Sequence, residues 1–220
     1  NTIHWAYDTW MLANGTGKAI VKSGGDTWFF LTADYAFGHA LERDTEAVVV
    51  KNGGKVVGKV RTPFPSQDFS SFLLQAQASK AKIIGLANAG GDTTNSIKQA
   101  AEFGITKGGQ NLAGLLVFLP DVHSLGLNTA QGLMLTETFY WDLNDNRAFT
   151  KRFAAANGGK YPSMVQAGVY SSVIHYLKAV DAAKTDDGTK VAAKMKELPT
   201  DDPLFGKGSV RPDGRKLHPA

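Results

Sequence analysis

"WFFLTADYAFGHALE", Trp28 to Glu42, is the stretch that decides the fold. Trp28, Phe29, Phe30 and Leu31 form a continuous apolar run, the pattern of a strand covered on both faces rather than on one. The run passes through Thr32 and Ala33 into Asp34-Tyr35, and after Gly38 the spacing of apolar residues becomes helical. A buried strand feeding directly into a helix is the opening of a βαβ unit. The junction between them has two readings. Asp34 and Tyr35 serve either as turn residues or as one wall of a ligand site.

Outward from this stretch the alternation continues. "YDTWMLANGTGKAIVKSGG" predicts a helix with Asp8 as an early-turn acid and an apolar face of Leu12, Ala13, Ala19, Ile20 and Val21, closed by Gly24-Gly25. A strand over Thr27–Thr32 follows, then a helix from Ala36 to Asn52 with Leu41, Val48 and Val49 inward. "KVVGKVRT" predicts a strand, and Pro63 and Pro65 an extended loop. "SQDFSSFLLQAQASK" predicts an amphipathic helix, "AKIIGLANA" a buried strand, and "GDTTNSIKQAAEFGI" a helix ending at Gly104. "LAGLLVFL" predicts a strand broken by Pro120, and "GLMLTETFY" another strand. Helices are expected over "NRAFTKRFAAANGG", "PSMVQAGVYSSVIHYLKAVDAAK" and "DGTKVAAKMKEL". "GSVRPDGRKLHPA" predicts a hairpin whose return strand has only Lys216, Leu217 and His218. The whole predicts an α/β fold: a doubly wound, mostly parallel sheet with helices on both faces. No composition break within the chain suggests two compact domains.

Composition narrows the function. The 220 residues suffice for a proper core, and 43% hydrophobic with 20% charged content is globular. The net charge of +4 is spread thinly, as at Lys51, Lys55, Lys59 and Arg61, with no basic run interleaved with aromatics, so no nucleic-acid partner is expected. There is no cysteine, which removes disulfides, thiolate metal sites and a thiol nucleophile. No apolar run reaches bilayer-spanning length. Asn1 in place of an initiator Met, and the short return strand, lead to the expectation of a piece of a longer protein, with an open hairpin edge offering self-association.

No cofactor or metal is expected. "NGTGKA" at Asn14–Ala19 lacks the first glycine of a phosphate loop, since Leu12 stands there, and has Ala19 where Ser or Thr is needed. Gly15 and Gly17 read instead as a helix bend or close packing. No G-x-G-x-x-G follows a strand. His4, His39, His123, His175 and His218 have no metal-ligand spacing, and there is no nucleophile elbow. What remains is the strand-to-helix junctions, because ligands of open parallel sheets bind beyond the carboxyl ends of the strands. Free N–H groups at helix N-termini there suit carboxylates. "TADYAFG", "ANAGGDTTN" and "VFLPDVHS" bring Asp34, Tyr35, Phe37, Asn88, Asp92, Thr93, Phe118 and Asp121 to one edge. Asp92, Thr93 or Thr94 also fits a plain helix N-cap, and Gly90 and Gly91 plain turn conformations. Tyr35 offers an aromatic wall with a hydroxyl, suited to a small ligand with an apolar body and a polar head.

"ADYAFGHALE", "KVVGKVRTPFPSQDFSSFLLQAQASKAKIIGLANAGGDTTNSIKQAAEFGI", "GLMLTETFYWD" and "AGVYSSVIHYLKAV" together resemble class I periplasmic solute-binding proteins, on the branch of the leucine/isoleucine/valine-type receptors of ABC importers. The resemblance implies two α/β lobes that close on a ligand like a hinge. It further implies that this chain is the second lobe: a crossover at residues 1–8, the ligand-binding lobe at 9–200, and a truncated return crossover at 201–220. It implies periplasmic localisation, a small-molecule solute, a membrane permease as partner, and no enzymatic activity. Carried over residue by residue, Tyr35 matches a tyrosine that closes over the ligand, with Phe37 beside it. Ala89, Gly90 and Asp92 match the second ligand-facing junction, and Phe118 lies at the third. Trp5 and Tyr7, at the first crossover, are further candidates to line the cleft, with Met164 and Gln166 weaker ones. Amino-acid receptors often carry an acid at the third junction; Val117-Phe118-Leu119 has none before Asp121, which leaves an aromatic or other small acid as an alternative ligand. A ligand-sensing regulatory domain of the same fold, or an α/β enzyme half-domain, are the other expectations to weigh.

Overall fold

The structure is a computed structural model that describes residues 2–143 and 147–217. Asn1, Asn146 at the head of one expected helix, and His218 of the expected return strand lie outside the described residues. The packing divides the chain into two compact units: Tyr7–Thr136, and Asn1–Ala6 together with Glu137–Ala220. These packing units are a different division from the crossover and lobe segments, bounded at residues 8 and 200, that the family resemblance implies for the longer protein.

The first unit opens with α1 (Thr9–Leu12), a π-helical turn (Ala13–Gly17) and α2 (Lys18–Lys22), one continuous helical segment. Asp8 is its N-cap, accepting from the Met11 N–H at 2.7 Å. The glycines of "NGTGKA" serve close packing: a Cβ on Gly15 would stand 2.4 Å from Thr136 Oγ1, and the Thr16 and Thr136 hydroxyls are bonded at 2.7 Å. There follow β1 (Thr27–Ala33), α3 (Ala36–Lys51), β2 (Lys55–Thr62), α4 (Ser70–Ala78), β3 (Ile83–Ala87), α5 (Gly90–Glu102), β4 (Asn111–Gly114), α6 (Leu119–Leu125) and α7 (Leu127–Ala130). The four strands are parallel in the order β2-β1-β3-β4. β1 is buried along its length except at Thr27, and β3 throughout, as central strands must be; β2 alternates as an edge strand does. Phe29 and Leu31 join a core with Phe69 and Leu73 of the α4 region, Ile84, Leu86, Ile97 of α5 and Leu112. With a side-chain period of two, the buried Trp28 and Phe30 turn to the opposite face.

Two expectations in this unit are corrected. "LAGLLVFL" is a strand only to Gly114. Leu115, Leu116 and Val117 are buried without a ladder, and Pro120 sits in the first turn of α6, where its missing N–H costs nothing, so it opens a helix rather than breaking a strand. "GLMLTETFY" is not a strand. It touches the sheet through one parallel bridge, Ala113 to Met134, while Leu133 and Leu135 pack on the core. Leu133 and Leu135 reach partial burial there with no ladder beyond that one bridge, and the border between units falls within the stretch, after Thr136.

The second unit contains α8 (Arg147–Ala156), α9 (Met164–Ala183), α10 (Gly188–Glu197), β5 (Thr200–Asp202), β6 (Gly206–Val210) and β7 (Lys216–Leu217). Ser163 caps α9 in a reciprocal box with Gln166. The antiparallel sheet runs β5-β6-β7; β5 carries two acids and was not expected. The edge of the terminal hairpin is not open at residues 214–216. The His4 N–H donates to Gly214 O at 2.8 Å and the Lys216 N–H to His4 O at 2.9 Å. Lys216 itself is buried, its ammonium 3.2 Å from Ser171 Oγ, 3.5 Å from Asp202 and lying over the rings of Trp5 and Phe205.

Candidate functional site

Parallel pairing places Thr32 opposite Ala87 and Ala33 opposite Thr62, so β1, β2 and β3 all end at one edge of the sheet. At the β1 end, the Asp34 N–H donates to Thr62 O at 2.9 Å and the Tyr35 N–H to Ala33 O at 2.8 Å. Tyr35 takes the N-cap position of α3 with extended backbone and no side-chain cap. Asp34 pairs with His39 across the exposed first turn at 2.7 Å, which accounts for it as a turn residue. Gly38 lets α3 cross the strand ends: a Cβ there would lie 2.1 Å from Ala33 O and 3.1 Å from Ala87 O.

The Tyr35 ring is half-buried and stacks on Phe64, with centroids 4.1 Å apart and planes 11° from parallel; Phe37 stands 5.9 Å from it. Burial, and then the charge of Asp92, push the Tyr35 phenol above its ordinary pKa, so it stays a neutral hydroxyl at physiological pH. Phe64 was missed in the sequence. It lies on the loop after β2, and the rule that singled out the other three junctions applies equally to that strand.

At the β3 end, the N-cap of α5 is Ala89, without a side-chain hydrogen bond, so Asp92, Thr93 and Thr94 are not the cap. Gly90 has φ of +57°, and neither it nor Gly91 has anything within 4 Å of where a Cβ would be. Asn88 and Thr93 turn inward: the Thr93 hydroxyl donates to Asn88 Oδ1 at 2.7 Å and Asn88 Nδ2 to Ser96 Oγ at 3.1 Å. Asp92, 4% exposed, accepts from the Ser66 N–H at 3.2 Å through one oxygen. Its other oxygen is buried without a hydrogen-bond partner, and burial raises its pKa against the lowering effect of Ser66.

At the β4 end, Phe118 is the N-cap of α6, its N–H held by Asp121 Oδ2 at 2.9 Å. The Phe118 ring stands 5.6 Å from Tyr7, whose phenol is pushed up by burial. The sheet edge therefore carries two aromatic groups, Tyr35 with Phe37 and Phe64, and Tyr7 with Phe118. Trp5 belongs to the other unit, where its indole N–H donates to Ser171 Oγ at 2.9 Å and its ring packs on His175. Met164 and Gln166 are likewise in that unit, one fully buried and the other holding the cap of α9. Among the described residues no group of three or more His, Asp or Glu side chains could hold a metal ion. Among them, too, no helix is long and apolar enough to cross a membrane.

Aromatic rings beside uncapped helix N-termini at a parallel sheet edge can bind a small molecule with an apolar body and polar ends. A family model described as periplasmic binding protein matches residues 1–220. The solved structure of a periplasmic binding protein from Burkholderia mallei is 58% identical, with a TM-score of 0.93 over 99% of this chain and 57% of that one. A branched chain amino acid ABC transporter periplasmic ligand-binding protein from Burkholderia xenovorans is 40% identical, with a TM-score of 0.82 over 98% of this chain and 58% of that one. The Leu/Ile/Val-binding protein homolog 6 of Brucella melitensis is 24% identical over 98% of this chain, which spans 56% of that relative's length. The chain spans about half the length of the relatives it matches, and it belongs to the periplasmic binding protein family.

Proposed function

We propose that the chain is part of the substrate-binding component of an ABC importer. It captures a small organic solute, a branched-chain or other amino acid or an aromatic or small carboxylic acid, by hinge closure, and hands it to a membrane permease. The periplasm is the proposed location, following the family. The observation that carries this reading is the half-buried Tyr35, stacked on Phe64 at the carboxyl end of a central strand and beside the uncapped start of α5. No catalysis is proposed. Asn88, Thr93, Asp121 and Asp34 are engaged in holding their own turns and helices, which leaves a binding surface rather than an acid–base pair. The division into crossovers at 1–8 and 201–220 around a lobe at 9–200 remains a proposal about the longer protein. Self-association gains no support, since His4 covers the hairpin edge from which it was expected.

Calorimetric titration of the full-length protein with L-leucine, L-isoleucine and benzoate tests the reading, with thermal unfolding in parallel. At least one solute is expected to bind and raise the melting temperature. Tyr35→Ala should weaken that binding about tenfold, the scale of losing one buried aromatic contact, and leave unfolding almost unchanged. Unchanged affinity in the variant removes Tyr35 from the site; no response to any of the solutes overturns the proposed ligand classes.

A further inference from the structure

We infer that Asp92 selects the solute, its unpartnered oxygen accepting a hydrogen bond from a donor group, an O–H or an ammonium N–H, on the end of the solute that enters beside Tyr35. The inference rests on the receptor reading and deepens it.

Asp92 has an evident ordinary task. One face of α5 holds the loop that leads from β2 to α4. Ser66 N–H bonds to Asp92 Oδ1, Asn95 Nδ2 to Gln67 Oε1 at 3.2 Å, Gln99 Nε2 to Gln67 O at 2.9 Å, and Phe69 N–H to Gln99 Oε1 at 2.8 Å. Gln99 does this work with a neutral amide and uses both ends of it. Asp92 needs one neutral acceptor for its share and instead brings a carboxyl whose second oxygen is buried and bonded to nothing. A buried acceptor without a donor is costly, and native structures keep few of them. Anchoring the loop does not explain it.

The surroundings say what would satisfy it. Asp92 lies in the first turn of α5, a helix of 13 residues whose N-cap side chain makes no hydrogen bond and whose first two residues leave open space. Tyr35 is near enough for its phenol to be raised by the Asp92 charge. A carboxyl group there already supplies the negative charge that a helix N-terminus favours. It would repel a solute carboxylate, so the anionic end of a solute faces elsewhere. A hydroxyl or ammonium would complete the hydrogen bonds of Oδ2 instead. Sites built to bond a donor reject analogues lacking it far more strongly than apolar pockets reject a missing methylene. The oxygen is buried in this structure, so a donor reaches it only where a neighbouring group, such as the loop held through Ser66, gives way.

The test uses the full-length protein and three probes: benzoate, its 4-hydroxy derivative and L-leucine. The wild type should bind 4-hydroxybenzoate or L-leucine at least about tenfold more tightly than benzoate, and which of the two does so tells whether the donor is a phenol or an ammonium. Asp92→Asn keeps an acceptor for Ser66 and turns the orphaned oxygen into a donor. The preference should shrink towards parity in this variant, with benzoate affinity held or improved. A preference that is unmoved by Asp92→Asn overturns the inference alone, and so does equal loss of affinity for every probe, the mark of a loop anchor. If the variant does not fold, the wild-type ratio decides: benzoate bound as tightly as the other two overturns the inference. A wild type that binds none of the three overturns this inference together with the ligand classes proposed above.

Discussion

Glu42 sits on the inner side of α3, 3% exposed, and is the most heavily partnered acid near the opening stretch. Thr32 donates to it at 2.5 Å, Arg61 grips both of its oxygens, and Lys59 stands 3.4 Å away. Burial alone would push its pKa up. The hydrogen bonds from Thr32 and Arg61, with the charges of Arg61 and Lys59, outweigh burial and hold it below the ordinary glutamate value. A folded pKa below the unfolded one stabilises the fold fully above the unfolded value and is lost as pH falls through the folded one. Glu42→Gln should therefore cost about 1–2 kcal/mol at pH 7, less than for a wholly buried pair because Arg61 and Lys59 are partly exposed. In urea unfolding the gap to wild type should close below a pH of about 4; a gap constant from neutral to strongly acid pH would mean that the ion pairs contribute nothing. Sequence alone shows Tyr35 and Phe37 because they follow an unmistakable buried strand. Phe64 is hidden behind two prolines, and ring stacking leaves no trace in residue spacing.

Among the elements, Gly38 explains why a glycine closes the aromatic stretch after β1. Two carbonyls, of Ala33 and Ala87, occupy the space of a side chain there, and both belong to backbone that cannot swing aside. Gly38→Ala should cost about 2–3 kcal/mol, as overpacking does. Gly91→Ala, within α5 and facing open space, should be neutral or raise stability by up to about 1 kcal/mol. Thermal unfolding of the two variants side by side checks this, and equal effects would show that the crossing of α3 over the strand ends is not tight. Elements with a long, clean period were readable: β1, β3, α3, α5 and α9 all lie where their patterns place them. The failures are apolar runs that pack on the core with little or no strand pairing. Leu115–Val117 and Leu133–Leu135 look like strands because burial and pairing produce the same composition, and only the neighbours decide which occurs.

At the scale of the whole molecule, the two packing units differ in how they use the chain. Tyr7–Thr136 is one uninterrupted segment, built from βαβ units whose partners are close in sequence. The other unit joins its first few residues to its last eighty or so, a pattern that delays folding because distant contacts must form before they stabilise anything. Pulse-labelled hydrogen exchange during refolding should protect the amides of β1 and β3 before those of β6 and β7. Simultaneous protection would show that the units fold as one cooperative body. Charged residues are denser in the second unit than in the first, but apolar content barely changes across the border after Thr136, so the hydrophobic pattern does not mark it. The Lys216 cluster carries this further. It gathers Trp5, Ser171, Asp202 and Lys216, so its members come from widely separated parts of the sequence and Trp5 is made well before the other three. On the ribosome, the Trp5 indole waits for its cationic neighbour until long after the parallel sheet between them in sequence has been free to form. The order of synthesis, rather than any weak element, thus sets when the second unit can close, and a chain stalled before residue 216 would present chaperones with one finished unit and one unfinished.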